Sequence, residues 1–328
     1  MKLLILNQTE IEKLLSMHDC IKVMTQALIA LAKGQVHLPL RMVVQPPEAA
    51  GVMALMPAHI AGESAALGVK VINVFNGNPA KGKDSHQGAV LLFDAETGEP
   101  LAMMNASAIT AIRTAAVSGV ATRRLAREDA NDLAIIGSGV QARSHLAAMT
   151  CVRSIKRARI ASRHFEHAQR FVAEMQPHYA FPIEPMKTIE ASVREADLIV
   201  TATSSSEPII QRDWIAAGTH LNVVGASQPH VREIDTATMA AASLFVDRRE
   251  STLNESGDYL FAAREGAIGP EHIRAEIGEV LIGAKPGRTQ PNEITLFKSL
   301  GLAVEDVASA AYIYQQAQKT NTGTRVEF

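Results

Sequence analysis

The 328 residues, 47% hydrophobic and 20% charged, suffice for two domains with an apolar core each. A formal charge of −2 lacks the concentrated basic excess of proteins that bind nucleic acid or anionic membranes. Cys20 and Cys151 have no motif partners, which excludes a disulfide scaffold or a cysteine zinc site and fits a reducing compartment.

The first residues, Met1 to Leu6, carry too short an apolar run for a signal peptide, and no later run approaches the ~18–20 residues that span a bilayer. A soluble, cytoplasmic chain is therefore expected. Thr9 with Glu12 and Ser16 with Asp19 read as capping boxes opening two helices. In the second helix Cys20, Met24, Leu28 and Leu31 recur at helical spacing, and Gly34 stops it. From Leu38 to Asn105 short β-type runs alternate with turns, giving candidate strands at Val43-Val44, Gly51–Met56, Val69–Phe75, Ala89–Phe93 and Leu101–Met104. This stretch reads as an antiparallel sheet. A helix follows over Thr110–Leu125, with Arg123 and Arg124 placed to suit its dipole.

From Asn131 onward the pattern alternates between β and α. Strands are expected at Leu133–Ile136, Ala158–Ser162, Asp197–Thr201, Leu221–Val224 and Leu244–Val246, and helical segments at Pro270–Gly278 and Leu296–Gln318. Such alternation implies a parallel sheet covered on both faces. The first of these strands runs into Gly137-Ser138-Gly139-Val140-Gln141-Ala142, a G-x-G-x-x-A fingerprint ahead of a helix. There Gly137 permits the tight turn, Gly139 lets backbone amides approach a pyrophosphate, and Ala142 permits close helix–strand packing. A nicotinamide dinucleotide is the expected cofactor. The next strand ends at Ser162, where NAD sites usually carry an acid for the ribose hydroxyls. Arg163 and His164 follow and can donate to a 2′-phosphate. NADPH is favoured on this ground, with NADH as the alternative if these two side chains are merely solvated.

Over nearly its whole length the sequence resembles the ornithine cyclodeaminase/mu-crystallin family. The resemblance is carried by Leu40-Arg41, Met56-Pro57-Ala58, Gly68-Val69-Lys70, Ser85-His86-Gln87 and Thr110 through Arg113-Thr114 to Ala116. It continues through the Gly137 fingerprint, Val224-Gly225-Ala226-Ser227, Arg232-Glu233-Ile234-Asp235 and Glu293 through Lys298-Ser299 to Gly301. It implies a Rossmann dinucleotide-binding domain over residues 119–301. It also implies an α+β substrate-binding and dimerisation domain made of residues 1–118 with 302–328, a homodimer, and a small α-amino or α-imino acid substrate.

By the same resemblance Arg41, Lys70 and Arg113 hold the substrate carboxylate, with Lys70, Arg113 and Ser227 as the catalytic set. Cofactor contacts are implied at Arg113, Thr114, Gly137, Gly139, Val140, Gln141, Ser162, Arg163, His164, Thr201, Thr203, Gly225, Ser227 and Ser299. Taken alone, each of the three clamp cations would ordinarily face solvent. No metal is expected, since His164 and His167 have metal-like spacing but no third ligand. Gly257-Asp258 belongs to the family texture without an evident chemical role.

One departure is informative. Ornithine cyclodeaminases resembling this chain carry Asp where Ser227 stands, and an acid suits chemistry on an amine. Ser227 shifts the expectation to NAD(P)H-dependent reduction of a cyclic imino acid, Δ1-pyrroline-2-carboxylate or Δ1-piperideine-2-carboxylate, to L-proline or L-pipecolate. The alternatives are an acyclic imine reductase of the alanine dehydrogenase or iminosuccinate reductase kind, an ornithine cyclodeaminase, and a mu-crystallin-like binding protein without turnover.

Overall fold

The computed structural model describes residues 2–62, 65–75 and 77–328. Two compact units emerge, Met1–Arg113 with Gly301–Phe328, and Thr114–Leu300. The first boundary falls five residues before the expected residue 118, inside the continuous helix Ala106–Leu125.

The first unit opens with β1 (Lys2–Leu6) and the helices Gln8–Leu14 and Met17–Ala32. The N-cap of the shorter helix is Asn7, whose side chain accepts from the Glu10 amide while Glu10 reaches back, so the capping box lies two residues before the expected Thr9–Glu12 pair. Ser16 caps the longer helix as expected. Six strands follow: β2 (Val36–His37), β3 (Met42–Val44), β4 (Val52–Ile60), β5 (Ala66–Val74), β6 (His86–Phe93) and β7 (Pro100–Asn105).

The second unit contributes β8 (Asp132–Ile136), β9 (Arg157–Ala161), β10 (Ile183–Met186), β11 (Leu198–Thr201), β12 (His220–Val223), β13 (Ser243–Val246), β14 (Ile273–Glu276) and β15 (Thr295–Lys298). The chain then returns to the first unit with the helix Ala303–Thr320 and β16 (Thr324–Glu327).

The sheet of the first unit runs β16-β1-β7-β6-β5-β4-β2, with β3 also on β4; its pairs are antiparallel except β1 with β7. Strict alternation along β4 and β5 puts Ala54, Met56, Ala58, Gly68, Lys70 and Ile72 on one buried face, on which the helix Ala303–Thr320 packs. Gly68 permits that approach, because a side-chain carbon there would press on Val307 and on the Leu91 carbonyl. The opposite face carries half-buried or exposed Leu55, Leu67, Val69, Val71, Leu91 and Met103.

The second sheet is parallel throughout, in the order β10-β9-β8-β11-β12-β15-β13-β14. The chain moves outward from β8 through β9 to β10, then resumes at β11 on the other side of β8. This creates a topological switch point between the ends of β8 and β11, where doubly wound sheets bind ligands.

Two helical expectations are corrected here. Leu296–Lys298 is strand β15, and Pro270–Gly278 divides into the single turn Pro270–His272, strand β14 and the start of the helix Ile277–Leu281. β15 is buried along its whole length and so lacks the alternation that separates strand from helix, while β14 alternates buried Ile273 and Ala275 with exposed Arg274 over only four residues, too short a stretch to outweigh a helical reading of the segment. Carbonyls of the last turn of Ala106–Leu125 are met by Arg153 (to Thr122) and by Arg288 (to Leu125), and Arg153 also reaches the carbonyl of Ala126 just beyond it, while Arg123 and Arg124 remain exposed. Among the described residues no single helix is long and apolar enough to cross a membrane.

Candidate active site

In the first unit Arg41, Lys70 and Arg113 come together although 29 and 43 residues separate them along the chain. Lys70 is only 2% exposed, on the helix-covered face of β5, and its Nζ lies 2.7 Å from Asp306 Oδ2. Arg113, 4% exposed, donates through Nε to Asp306 Oδ1 at 3.0 Å and through Nη1 to Glu305. Half-buried Arg41 donates to the Gly301 carbonyl at 3.2 Å. Gly301 has φ +79°, and a side-chain carbon there would collide with the Arg113 guanidinium, so glycine is required on both counts.

Burial is the main reason Lys70 is lowered to about 8; Arg113 and Arg41 add to this and Asp306 opposes it. His86, which keeps a solvent-exposed side, is also lowered, by desolvation first and then by Lys70 and Arg113. It is therefore neutral at pH 7. Its Nδ1 lies 3.0 Å from Ser85 Oγ, and Ser107 Oγ donates to its carbonyl.

Sequence reasoning missed Glu305 and Asp306. Acids in a first helical turn ordinarily read as solvent-facing dipole partners, yet both side chains are fully buried here. Their adjacency just after Leu300-Gly301-Leu302 was the available signal.

In the second unit the turn after β8 has the geometry the fingerprint demands. Gly137 adopts φ +118°, and a side-chain carbon would collide with the Ala202 carbonyl at the switch point. Gly139 is the N-cap of the helix Val140–Val152 and makes no side-chain cap hydrogen bond. A carbon added at Gly139 would meet nothing within 4 Å, so the helix N-terminus, with its positive dipole end, opens onto free space at that residue. Ala142 is fully buried, as close packing requires. Ser138 and Ser162 hydroxyls lie 3.0 Å apart, joining this turn to the end of β9, and Arg163 and His164 follow exposed.

The expected Thr201, Thr203 and Gly225 meet on one buried carboxylate, Glu233. It accepts from the Thr201 hydroxyl (2.7 Å), the Thr203 amide and hydroxyl (2.8 and 2.7 Å) and the Gly225 amide (2.7 Å). These donors are thus spent within the protein, and their residues shape the crevice rather than offer it those groups. Burial raises Glu233, and Asp258 adds to this while Lys298 opposes it. Asp258 accepts from the Glu233 and Ile234 amides and pairs with Lys298 at 2.8 Å, which also donates to the Ala226 carbonyl. This gives Asp258 the role its sequence context did not reveal: it braces the two loops beside the switch point.

Ser227 is half-buried in the loop after β12, Thr114 is buried, and Gln141 lies half-buried in the first turn of Val140–Val152. Ser299 is buried, and its hydroxyl has no hydrogen-bond partner among the described residues. An orphaned hydroxyl, an open uncapped helix N-terminus and a glycine turn together fit a dinucleotide, with the turn taking its pyrophosphate.

Comparison with known proteins agrees. Residues 1–321 match the model of the ornithine cyclodeaminase/mu-crystallin family. The Delta(1)-pyrroline-2-carboxylate reductase of Bacillus cereus is 36% identical over 327 residues, covering 99% of this chain and 100% of that protein. The structure of Thermococcus litoralis Delta(1)-pyrroline-2-carboxylate reductase in complex with NADH and L-proline superposes with a TM-score of 0.96 at 39% identity, over 99% of this chain and 100% of that one. An archaeal alanine dehydrogenase dimer with bound NAD gives a TM-score of 0.94 at 34% identity over the full length of both chains. From the glycine turn to the buried cations, site and relatives converge: this chain belongs to the ornithine cyclodeaminase/mu-crystallin family.

Proposed function

We propose that this protein is a nicotinamide-dependent imine reductase that converts Δ1-pyrroline-2-carboxylate or Δ1-piperideine-2-carboxylate to L-proline or L-pipecolate. The observation that carries this reading is the gathering of Arg41, Lys70 and Arg113 around Gly301, two of them buried, which makes a site for one small carboxylate. The dinucleotide supplies a hydride when bound. Arg41, Lys70 and Arg113 take the carboxylate and fix the ring's orientation, and burial keeps water from Lys70 and Arg113. The substrate can arrive as an iminium, so reduction of its carbon needs no acid at Ser227, whose hydroxyl hydrogen-bonds only. The test is oxidation of NADPH and NADH followed by absorbance, with cyclic imines set against pyruvate plus ammonia and oxaloacetate plus ammonia. Turnover fastest with an acyclic imine, or absent with every imine, would reject the reading.

Preference for NADPH is part of the proposal, supported by exposed Arg163 and His164 beside Ser162 at the end of β9. Ser162→Asp with Arg163→Ala is expected to move preference towards NADH, by repelling the 2′-phosphate and removing its partner. Wild-type preference for NADH, unaltered in the double variant, would contradict it.

A pH dependence follows from Lys70. It is protonated below about 8 and loses its charge as the pH rises through that value, so kcat/KM is expected to fall on the alkaline side. Lys70→Arg keeps its charge there and should remove that limb; a limb unchanged in Lys70→Arg would assign it elsewhere.

We further propose a homodimer formed through the outer face of the first unit's sheet, which carries half-buried Leu55, Val69, Val71 and Leu91 and exposed Met103. Light scattering should report a dimer for the wild type and a smaller mass for Val69→Arg combined with Val71→Arg. A wild-type monomer at micromolar concentration would dismiss the dimer.

A further inference from the structure

Among the described residues, every hydrogen bond to the buried Glu233 side chain comes from one half of the second sheet. The order β10-β9-β8-β11-β12-β15 is that of a doubly wound fold, in which each half receives one mononucleotide. Ser162, at the end of β9, stands where the adenosine ribose is read, so β11, β12 and β15 border the nicotinamide half. Thr201 ends β11, Thr203 lies just beyond it, and Gly225 follows β12. At the same edge Ser299, with its orphaned buried hydroxyl, follows β15.

Each Glu233 oxygen serves one hydroxyl and one backbone amide. Oε1 accepts from the Thr203 hydroxyl and amide, and Oε2 from the Thr201 hydroxyl and the Gly225 amide. A hydroxyl can turn and accept instead, but a backbone amide can only donate. With the two amides on opposite oxygens, only an ionised carboxylate satisfies both. The loops approach closely here, because a side-chain carbon at Gly225 would collide with the Thr203 carbonyl and with Glu233. Buried Asp258 accepts from the Glu233 amide at 2.7 Å and pairs with Lys298, which donates to the Ala226 carbonyl. The loop after β12 is thus held at the Gly225 amide by Glu233 and at the next carbonyl by Lys298. Replacing such buried charges by apolar side chains often costs a fold nothing, so stability alone does not account for this ring of contacts.

We infer that Glu233 is a positioning residue for the nicotinamide half of the dinucleotide. By tying Thr203 to Gly225 it fixes the two loops that bound that half before the cofactor arrives. The adenosine half, on β8 and β9, does not depend on it. Walls formed in advance spare the ligand the cost of ordering them. The inference rests on the dinucleotide site and holds whichever imine is reduced.

The test compares wild type with Glu233→Gln. Calorimetric titration measures binding of NADH, which spans both halves, and of ADP, which carries only the adenosine end and two phosphates. However the glutamine amide turns, the Thr203 or the Gly225 amide is left facing an NH2 group, and the loop concerned must move. NADH affinity should fall about tenfold or more, while ADP affinity should stay within about twofold. General destabilisation weakens both ligands alike and cancels in their ratio. Residue-resolved hydrogen exchange gives a second readout: without cofactor, the Thr203 and Gly225 amides should exchange faster in the variant, and those of β8 and β9 should not. An unchanged ratio of NADH to ADP affinity in a folded variant would overturn the inference. If the variant does not fold, cofactor-free wild type decides. Thr203 and Gly225 amides protected as well as those of β11 and β12 support it, and amides exchanging as fast as in an unstructured chain overturn it. NADH binding without turnover of any imine would reject the proposed reaction while leaving the positioning argument standing. A wild type that binds neither ligand would reject the dinucleotide site, and this role of Glu233 with it.

Discussion

Arg113→Ala is expected to lower kcat/KM for the cyclic imino acid by about 10²–10³-fold at saturating cofactor. A lost charge-assisted hydrogen bond accounts for ~1.5–3 kcal/mol, and misorientation of the ring adds to it. The variant also strips Glu305 of its guanidinium partner and Asp306 of one of its two cations, both acids being fully buried. Removing one member of such a buried cluster costs about 3–5 kcal/mol, so the melting temperature should fall as well. Two measurements separate these effects. Thermal unfolding reports the destabilisation, and fluorescence titration with NADH shows whether the cofactor-binding unit of the folded fraction is intact. Arg113→Lys keeps the charge but cannot reproduce the planar fork that reaches Asp306 and Glu305 together, so it should recover stability better than activity. A folded Arg113→Ala protein within threefold of wild-type kcat/KM would remove Arg113 from the clamp.

Ammonia release from L-ornithine should be at least about 10³-fold slower than reduction of the cyclic imino acid. Cyclodeamination oxidises an amine, forms a ring with loss of ammonia and reduces that ring, and it needs a group that can accept and return protons near neutrality. Ser227 cannot ionise in that range. The nearby buried carboxylate cannot substitute, because Glu233 already accepts hydrogen bonds from Thr201, Thr203 and Gly225. Ser227→Ala should therefore reduce imine turnover only modestly, in contrast to Arg113→Ala, since a single hydroxyl is lost and the clamp still orients the ring. Rapid NAD-dependent ammonia release from ornithine by the unmodified protein would reverse the assignment in favour of a cyclodeaminase.

Local patterns in the sequence determined much of this protein. The strand before Gly137, the glycine spacing and the helix after it specify a phosphate-binding turn, because each requirement is met within a few consecutive residues. The readings proposed for Ser162 and Ser227 are likewise local, since they turn on which side chain is missing at a fixed place in a motif. The exposed and buried faces of β4 and β5 follow from alternation alone.

Tertiary structure decided the rest. β14 and β15 gain strand character from parallel neighbours on the sheet; β15 is buried throughout and shows no alternation, and the alternation of β14 spans only four residues. The capping box settled on Asn7 because several residues there can cap, and the packing of the whole helix selects among them. Charge pairing was the least readable feature. Arg113 meets Glu305 and Asp306 across 192 and 193 residues, and Glu233 gathers donors from loops up to 32 residues away. A sequence shows that an ionisable group is present, but whether it faces water or another buried charge depends on which distant segments the fold brings against it. That is why the glycine turn could be read from the chain, while the two acids paired with Lys70 and Arg113 became visible only in three dimensions.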